Sequence, residues 1–164
     1  MDSGEASPGA PGPASTAVID FATPLDLVAL ADLLAELFSL ESDFRPERAR
    51  QLAGLRLILD NPELGRLFVL RMQDRVVGMA NALVTVSTAE GGRVLLLEDV
   101  IVQRDCRGRG LGKRLVEHVL AWAAAQGMTR VTLLADRDNA AALGFYRHLG
   151  FTDSQMQVLR RGMV

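Results

Sequence analysis

Leu97-Glu98-Asp99-Val100-Ile101-Val102 leads, through Gln103-Arg104-Asp105-Cys106, into Arg107-Gly108-Arg109-Gly110-Leu111-Gly112. The first stretch is β-favouring and is broken only by its two acids. The second sets glycine at alternate positions, where a chain leaving a strand must turn into a helix. The helix itself follows as a stripe, with Leu111, Leu115, Val119, Trp122 and Ala123 on one face and Gly127 suited to its C-terminal cap. Such a junction has a definite electrostatic character. The first helical turn has unpaired N–H groups and the positive end of the macrodipole, and glycines 108, 110 and 112 remove side chains that would meet an approaching oxygen. The result is a site for a phosphate or pyrophosphate. Arg107 and Arg109 can add charge-assisted contacts, while Arg104, Lys113 and Arg114 raise the local positive potential.

Two other phosphate-binding patterns do not fit. A Walker A loop needs glycine at 107 and Ser or Thr at 114, where Arg107 and Arg114 stand. A dinucleotide-binding GxGxxG read from Gly108 needs glycine at 113, which is Lys113, and belongs in a first βαβ unit rather than late in the chain.

Outward from this junction, the chain divides readily. Residues 1–16 are rich in Gly, Pro, Ala and Ser, a composition that reads as a disordered tail, leaving residues 17–164 as one domain. Residues 17–21 alternate as a first strand. Leu27, Leu30, Leu34, Leu37 and Phe38 then form a helical stripe, and Ala49, Leu52, Leu55, Ile58 and Leu59 form a second, ended by Asn61-Pro62. Residues 67–72 and 76–88 read as a hairpin around Gln73-Asp74-Arg75, and Gly91-Gly92 turns the chain into the strand at 94–102. Beyond the junction helix come a strand at 129–134, a short helix at 139–149 closed by Gly150, and last-strand material at 151–159. The order β-α-α-β-β-β-α-β-α-β predicts a mixed sheet with helices on both faces.

Composition narrows the class. A length of 164 residues suits one core, and a net charge of −2 argues against a polyanion binder, so no nucleic-acid partner is expected. Cys106 is the single cysteine, so no intrachain disulfide can form. The first fifteen residues contain Asp2 and Glu5 and no apolar run, and nothing approaches a membrane helix. A cytoplasmic protein without a membrane partner, and without a bound metal, is the expectation.

The 97–112 segment resembles the central motif of the GNAT superfamily of N-acetyltransferases. A second hallmark lies downstream in Asn139-Ala140-Ala141-Ala142-Leu143-Gly144-Phe145-Tyr146-Arg147-His148-Leu149-Gly150-Phe151. The two N-terminal helices and the hairpin also come in the family's order. The resemblance implies an α/β (α+β) fold with a mostly antiparallel sheet of six to seven strands and about four helices. It implies acetyl-CoA as co-substrate, entering where the strands at 102 and 129 splay apart. By position, the backbone of Val100, Ile101 and Val102 would pair with the pantetheine arm as an added strand. The amides of Arg107, Gly108, Arg109, Gly110, Leu111 and Gly112, with Lys113 beside them, would hold the pyrophosphate. Asn139 would meet the pantetheine side or a nearby water, and Tyr146 the thioester sulfur. A homodimer is a further family-based expectation.

Acetyl transfer needs a neutral amine, and a free alkylammonium has a pKa near ~10. Glu98 is the leading candidate for base: it interrupts an apolar strand, and Leu96 and Val100, its same-face neighbours by alternation, could desolvate it. Substrate anchoring or a plain ion pair are its other readings. Alternation turns Asp99 to the opposite face, unless a bulge intervenes. Tyr146 can protonate the departing thiolate; its bland alternative is a packed aromatic beside Phe145 and Phe151. Cys106 and His118 read as bystanders. Glu36, Glu41, Ser42, Asp43 and Phe44, at the junction of the two N-terminal helices, border the acceptor pocket in the family, so the carboxylates could receive a cationic amine, or the segment could form a solvated, capped loop. The activity implied is acetylation of a primary amine of a small molecule, with some likeness to spermidine/spermine acetyltransferases. A non-catalytic acyl-CoA sensor, a partner-binding protein with a merely structural glycine loop, and a protein N-terminal or lysine acetyltransferase are the rival classes.

Overall fold

The computed structural model describes residues 16–41, 43 and 45–163. The tail expected over residues 1–16 therefore lies outside the described residues apart from Thr16, and so do Ser42 and the candidate Phe44. Among the described residues, five strands form one sheet in chain order: β1 (Val18–Phe21), β2 (Gly65–Met72), β3 (Arg75–Ser87), β4 (Gly92–Val102) and β5 (Val131–Leu133). The first three pairings are antiparallel and β4 to β5 is parallel. The helices are α1 (Leu27–Phe38), α2 (Arg48–Asp60), α3 (Leu111–Ala125) and α4 (Ala140–His148).

The sheet separates two apolar layers. Leu30, Ala31, Leu33 and Leu34 of α1 and Leu55 of α2 pack on Leu67, Val69, Met79 and Ile101. On the other face, Leu111, Leu115, Val116, Val119 and Ala123 of α3 cover Phe68, Leu70, Leu95 and Leu97. Burying these side chains is the main source of stability, at about 1.5–3 kcal/mol for each large one. The α2 stripe departs from expectation, since Ala49 is exposed and Gln51 is buried in its stead. The short 3-10 turn Pro24–Asp26 that leads into α1 carries a capping box, in which Thr23 N donates to Asp26 Oδ2 at 2.7 Å. Asp26 is also gripped by both guanidinium nitrogens of Arg71 at 2.8 Å, which holds its carboxyl below the usual range.

Two features shape the site. Between the pairs Met79↔Ile101 and Asn81↔Glu98, the two residues Asp99 and Val100 oppose the single Ala80. This is a β-bulge, with Asp99 in the left-handed region at φ 50, which Asp tolerates better than most residues. The bulge reverses the alternation: Leu95 and Leu97 face α3, but past it Val100 and Val102 take that side and Ile101 faces α1. Val100 is therefore not a same-face neighbour of Glu98. Secondly, the β4–β5 ladder stops at Leu97↔Leu133, so β4 runs on past its parallel partner.

The sheet has fewer strands than the six to seven expected. Residues 151–163 carry no strand. Polar residues break their apolar pattern, the three-residue β5 offers only a short edge, and ion pairs hold the segment elsewhere: Arg147 with Asp153 at 2.9 Å and Arg160 with Asp43 at 2.5 Å.

Candidate active site

The groove opened by the early end of β5 has a volume of about 560 Å³. Residues 100–102 of β4 form one wall, the turn from Arg107 to Lys113 forms the floor, and Asn139, Ala142, Phe145 and Tyr146 form the opposite wall. Gly108 and Gly110 have φ of 75 and 72, so the turn requires glycine there, and Gly110 is the N-cap of α3. A Cβ at Gly112 would meet the Phe145 ring at 3.6 Å, which shows how closely α4 approaches the turn. The open amides at the start of α3 suit a diphosphate, and the uncovered edge of β4 suits an extended amide-bearing arm.

Individual side chains are placed as follows. Asn139 caps α4, its Oδ1 accepting from Ala142 N at 3.0 Å. Lys113 lines the groove and lies 3.7 Å from Glu117. Arg109 is exposed and is not among the lining residues. The guanidinium of Arg107 faces inward: its Nε donates to Val102 O at 2.7 Å and a terminal nitrogen to Glu36 Oε1 at 2.6 Å. Tyr146 packs edge-on against Phe145 and Phe151, with centroids 5.0 and 5.7 Å away. Burial, and then the negative charge of Glu41, push its hydroxyl up to about 12, so it stays protonated at any working pH.

A second, larger cavity of about 940 Å³ contains both acids of the bulge. Glu41 and Asp43 enter it from the end of α1, Glu98 and Asp99 from β4, Asp136 and Arg137 from the loop after β5, and Arg160 from the C-terminal segment. The lining thus has five carboxylates against two guanidinium groups. Two carboxylates are tied: Asp43 to Arg160, and Asp99 to the buried Asn81, whose Nδ2 donates to Asp99 Oδ2 at 3.1 Å. Glu41 and Glu98 have no hydrogen-bond or ion-pair partner among the described residues. Burial, followed by the nearby Asp99 and Asp136, pushes the Glu41 carboxyl up to about 7. Burial and then Asp99 also raise Glu98, with Arg160 opposing. Asp99 is raised by burial against the lowering effect of Asn81.

Sequence reading thus brought most of the groove-lining residues together and missed much of the second cavity. Asp99 was turned away by simple alternation. Asp136, Arg137 and Arg160 went unnoticed, although Asp136-Arg137-Asp138 is a charged run directly after a strand. Glu36, read with Glu41 and Asp43 as a carboxylate that could receive a cationic amine, lines neither cavity and pairs with Arg107. Cys106 is buried and His118 is exposed, its ring edge-on to Phe68. Among the described residues no cluster of His, Cys, Asp and Glu is arranged to hold a metal, and no helix is long and apolar enough to cross a membrane.

Comparison with known proteins gives a consistent result. The acetyltransferase (GNAT) family model matches residues 27–151. An L-methionine sulfoximine/L-methionine sulfone acetyltransferase of Pseudomonas aeruginosa is 39% identical over 62 residues, which are 38% of this chain and 36% of that protein. Mouse N-alpha-acetyltransferase 80 is 46% identical over 57 residues, 35% of this chain and 17% of that protein. The chain therefore spans well under two thirds of these relatives. An aminoglycoside N-acetyltransferase solved in complex with CoA superposes with a TM-score of 0.79 at 20% identity, over 94% of this chain and 100% of the other, a likeness of fold.

Proposed function

Because the chain belongs to the GNAT acetyltransferase family, we propose that it transfers an acetyl group from acetyl-CoA to the primary amine of a small, cationic acceptor. The observation that carries this reading is the double use of β4. Residues 100–102 of that strand line the glycine-floored groove, while Glu98 and Asp99 line the acidic cavity. A donor in the first and an amine in the second would meet across the bulge, as direct transfer in a ternary complex requires.

The donor supplies an activated acetyl thioester; the chain's own residues do the rest. The amides from Arg107 to Gly112 and the side chain of Lys113 hold the pyrophosphate, and the edge of β4 at Val100, Ile101 and Val102 aligns the pantetheine, with Asn139 on the far wall. Glu41 attracts the acceptor ammonium, with Asp43 shaping the rim. Glu98, raised by burial, takes a proton from the ammonium, directly or through a water. The neutral nitrogen then forms the C–N bond; as the C–S bond breaks, Tyr146 gives its proton to the sulfur, and the second proton of the acylated nitrogen returns through water to the tyrosine oxygen. Main-chain donors near Val100 stabilise the charge that develops on the carbonyl oxygen.

Excess negative charge in the cavity favours an acceptor with more than one cationic nitrogen, such as a polyamine, over a neutral amine. A protein N-terminus is the second reading, favoured by the short match to N-alpha-acetyltransferase 80. Calorimetry with acetyl-CoA, then thiol release across polyamines, amino acids, aminoglycosides and peptide N-termini, tests the proposal. Acetyl-CoA binding with no thiol release from any amine would leave a sensor instead. A homodimer acting in the cytoplasm belongs to the same proposal, and light scattering tests its oligomeric part.

A further inference from the structure

Arg107 opens the glycine-rich turn, and two of its guanidinium donors go to protein: Nε to the Val102 carbonyl of β4 at 2.7 Å, and a terminal nitrogen to Glu36 of α1 at 2.6 Å. The two ion-paired side chains are 39% and 27% exposed, so the contact is partly shielded from solvent. Glu36 sits in the last turns of α1. Just beyond it, Phe38, Glu41 and Asp43 form one wall of the acceptor cavity. The other end of α1 is fixed by Arg71 on Asp26. The helix is thus pinned twice, once to β2 and once to the donor turn.

We propose that Arg107 and Glu36 are positioning residues that couple the two substrate sites: the guanidinium holds the acceptor wall of α1 against the donor turn. This rests on the acetyl-transfer reading above. A half-exposed ion pair contributes little to global stability. Its effect lies in geometry, since a small displacement of α1 moves Glu41 relative to Glu98 across the cavity. The guanidinium also ties that wall to the carbonyl at the end of the strand edge that aligns the donor. Glu36 itself lines neither cavity, so a change there reports on placement and not on lost substrate contact.

Glu36→Ala, Glu36→Gln, Arg107→Ala and the double alanine variant test this. Acetyl-CoA affinity is read by calorimetry, acceptor KM and kcat with the fastest amine of the panel, and α1 opening by amide hydrogen exchange. For Glu36→Ala the expected result is an acceptor KM raised about fivefold, kcat changed less than about twofold and acetyl-CoA affinity nearly constant. Exchange in residues 34–40 should quicken. Glu36→Gln, which keeps an acceptor for the guanidinium, should recover most of the loss. The double variant should be no worse than the poorer single, because both remove one contact. Tighter acetyl-CoA binding in Glu36→Ala, or unchanged KM and exchange, would overturn the coupling. So would an Arg107→Ala variant that loses about tenfold in acetyl-CoA affinity with an unaltered acceptor KM, since the guanidinium would then serve the pyrophosphate. If the wild-type chain gives no heat with acetyl-CoA, the functional reading fails. The exchange measurement still decides whether the contact restrains α1.

Discussion

The glycine-floored groove and the acidic cavity share β4 but are made in different ways. The groove is built around main chain, the turn from Arg107 to Gly112 and a strand edge left open where β5 stops, with Lys113, Asn139, Phe145 and Tyr146 completing its walls. The cavity is made of side chains from four separate segments, the end of α1, the bulge, the loop after β5 and the C-terminal run. A site made of backbone presents the same chemistry whatever the side chains around it, and so suits a constant ligand. A site made of side chains can change its ligand by substitution without disturbing the fold.

The sharpest way to break that contrast is to remove chemistry from the cavity alone. Glu98→Gln should lower kcat by about 100-fold and flatten its rise with pH, while acetyl-CoA affinity measured by calorimetry holds. A matching fall in donor affinity would mean that the two regions are not separable. Tyr146→Phe comes next, on the groove side. A loss of ~30-fold in the chemical step is expected under single-turnover conditions, again with donor binding intact; full activity removes the tyrosine as acid. Gly110→Val should then weaken acetyl-CoA about tenfold, because a β-branched residue resists φ 72 at the N-cap of α3. The acceptor KM should stay unchanged.

The smallest effect concerns stability. The Glu41 carboxyl is raised from 4.5 to about 7, chiefly by burial. Its contribution is complete below its unfolded value and is lost as pH climbs through about 7. Glu41→Gln should therefore be more stable than wild type at pH 8 and not at pH 4. Allowing for solvent screening, the gain is about 1 kcal/mol, or ~2–4 °C in Tm by thermal unfolding. Equal melting temperatures at pH 8 would place Glu41 in open solvent.

The same contrast explains what could be read from the sequence. Helices α1 and α3 announced themselves by apolar spacing, and the donor groove by glycines whose positions are contiguous along the chain. The acceptor cavity depends on contacts between residues such as Asp43 and Arg160, 117 positions apart, which no local pattern reports. Asp99 was misdirected for a different reason. Alternation is a parity rule, and a bulge inserts one residue without changing composition or hydropathy. The C-terminal run is not a strand, and part of the reason lies outside it: besides its own polar residues and ion pairs, the three-residue β5 offers only a short edge, which the run's sequence does not report.

The extra residue at the bulge acts as a switch of sign along a one-dimensional code. Up to Leu97, odd positions of β4 face α3; after Asp99, even positions do. One strand thereby addresses two compartments with independent alphabets: Glu98 and Asp99 line the acidic cavity, while residues 100–102 line the groove on the other side. Deleting a single residue there would restore the parity and turn the strand's contribution to one compartment over to the other.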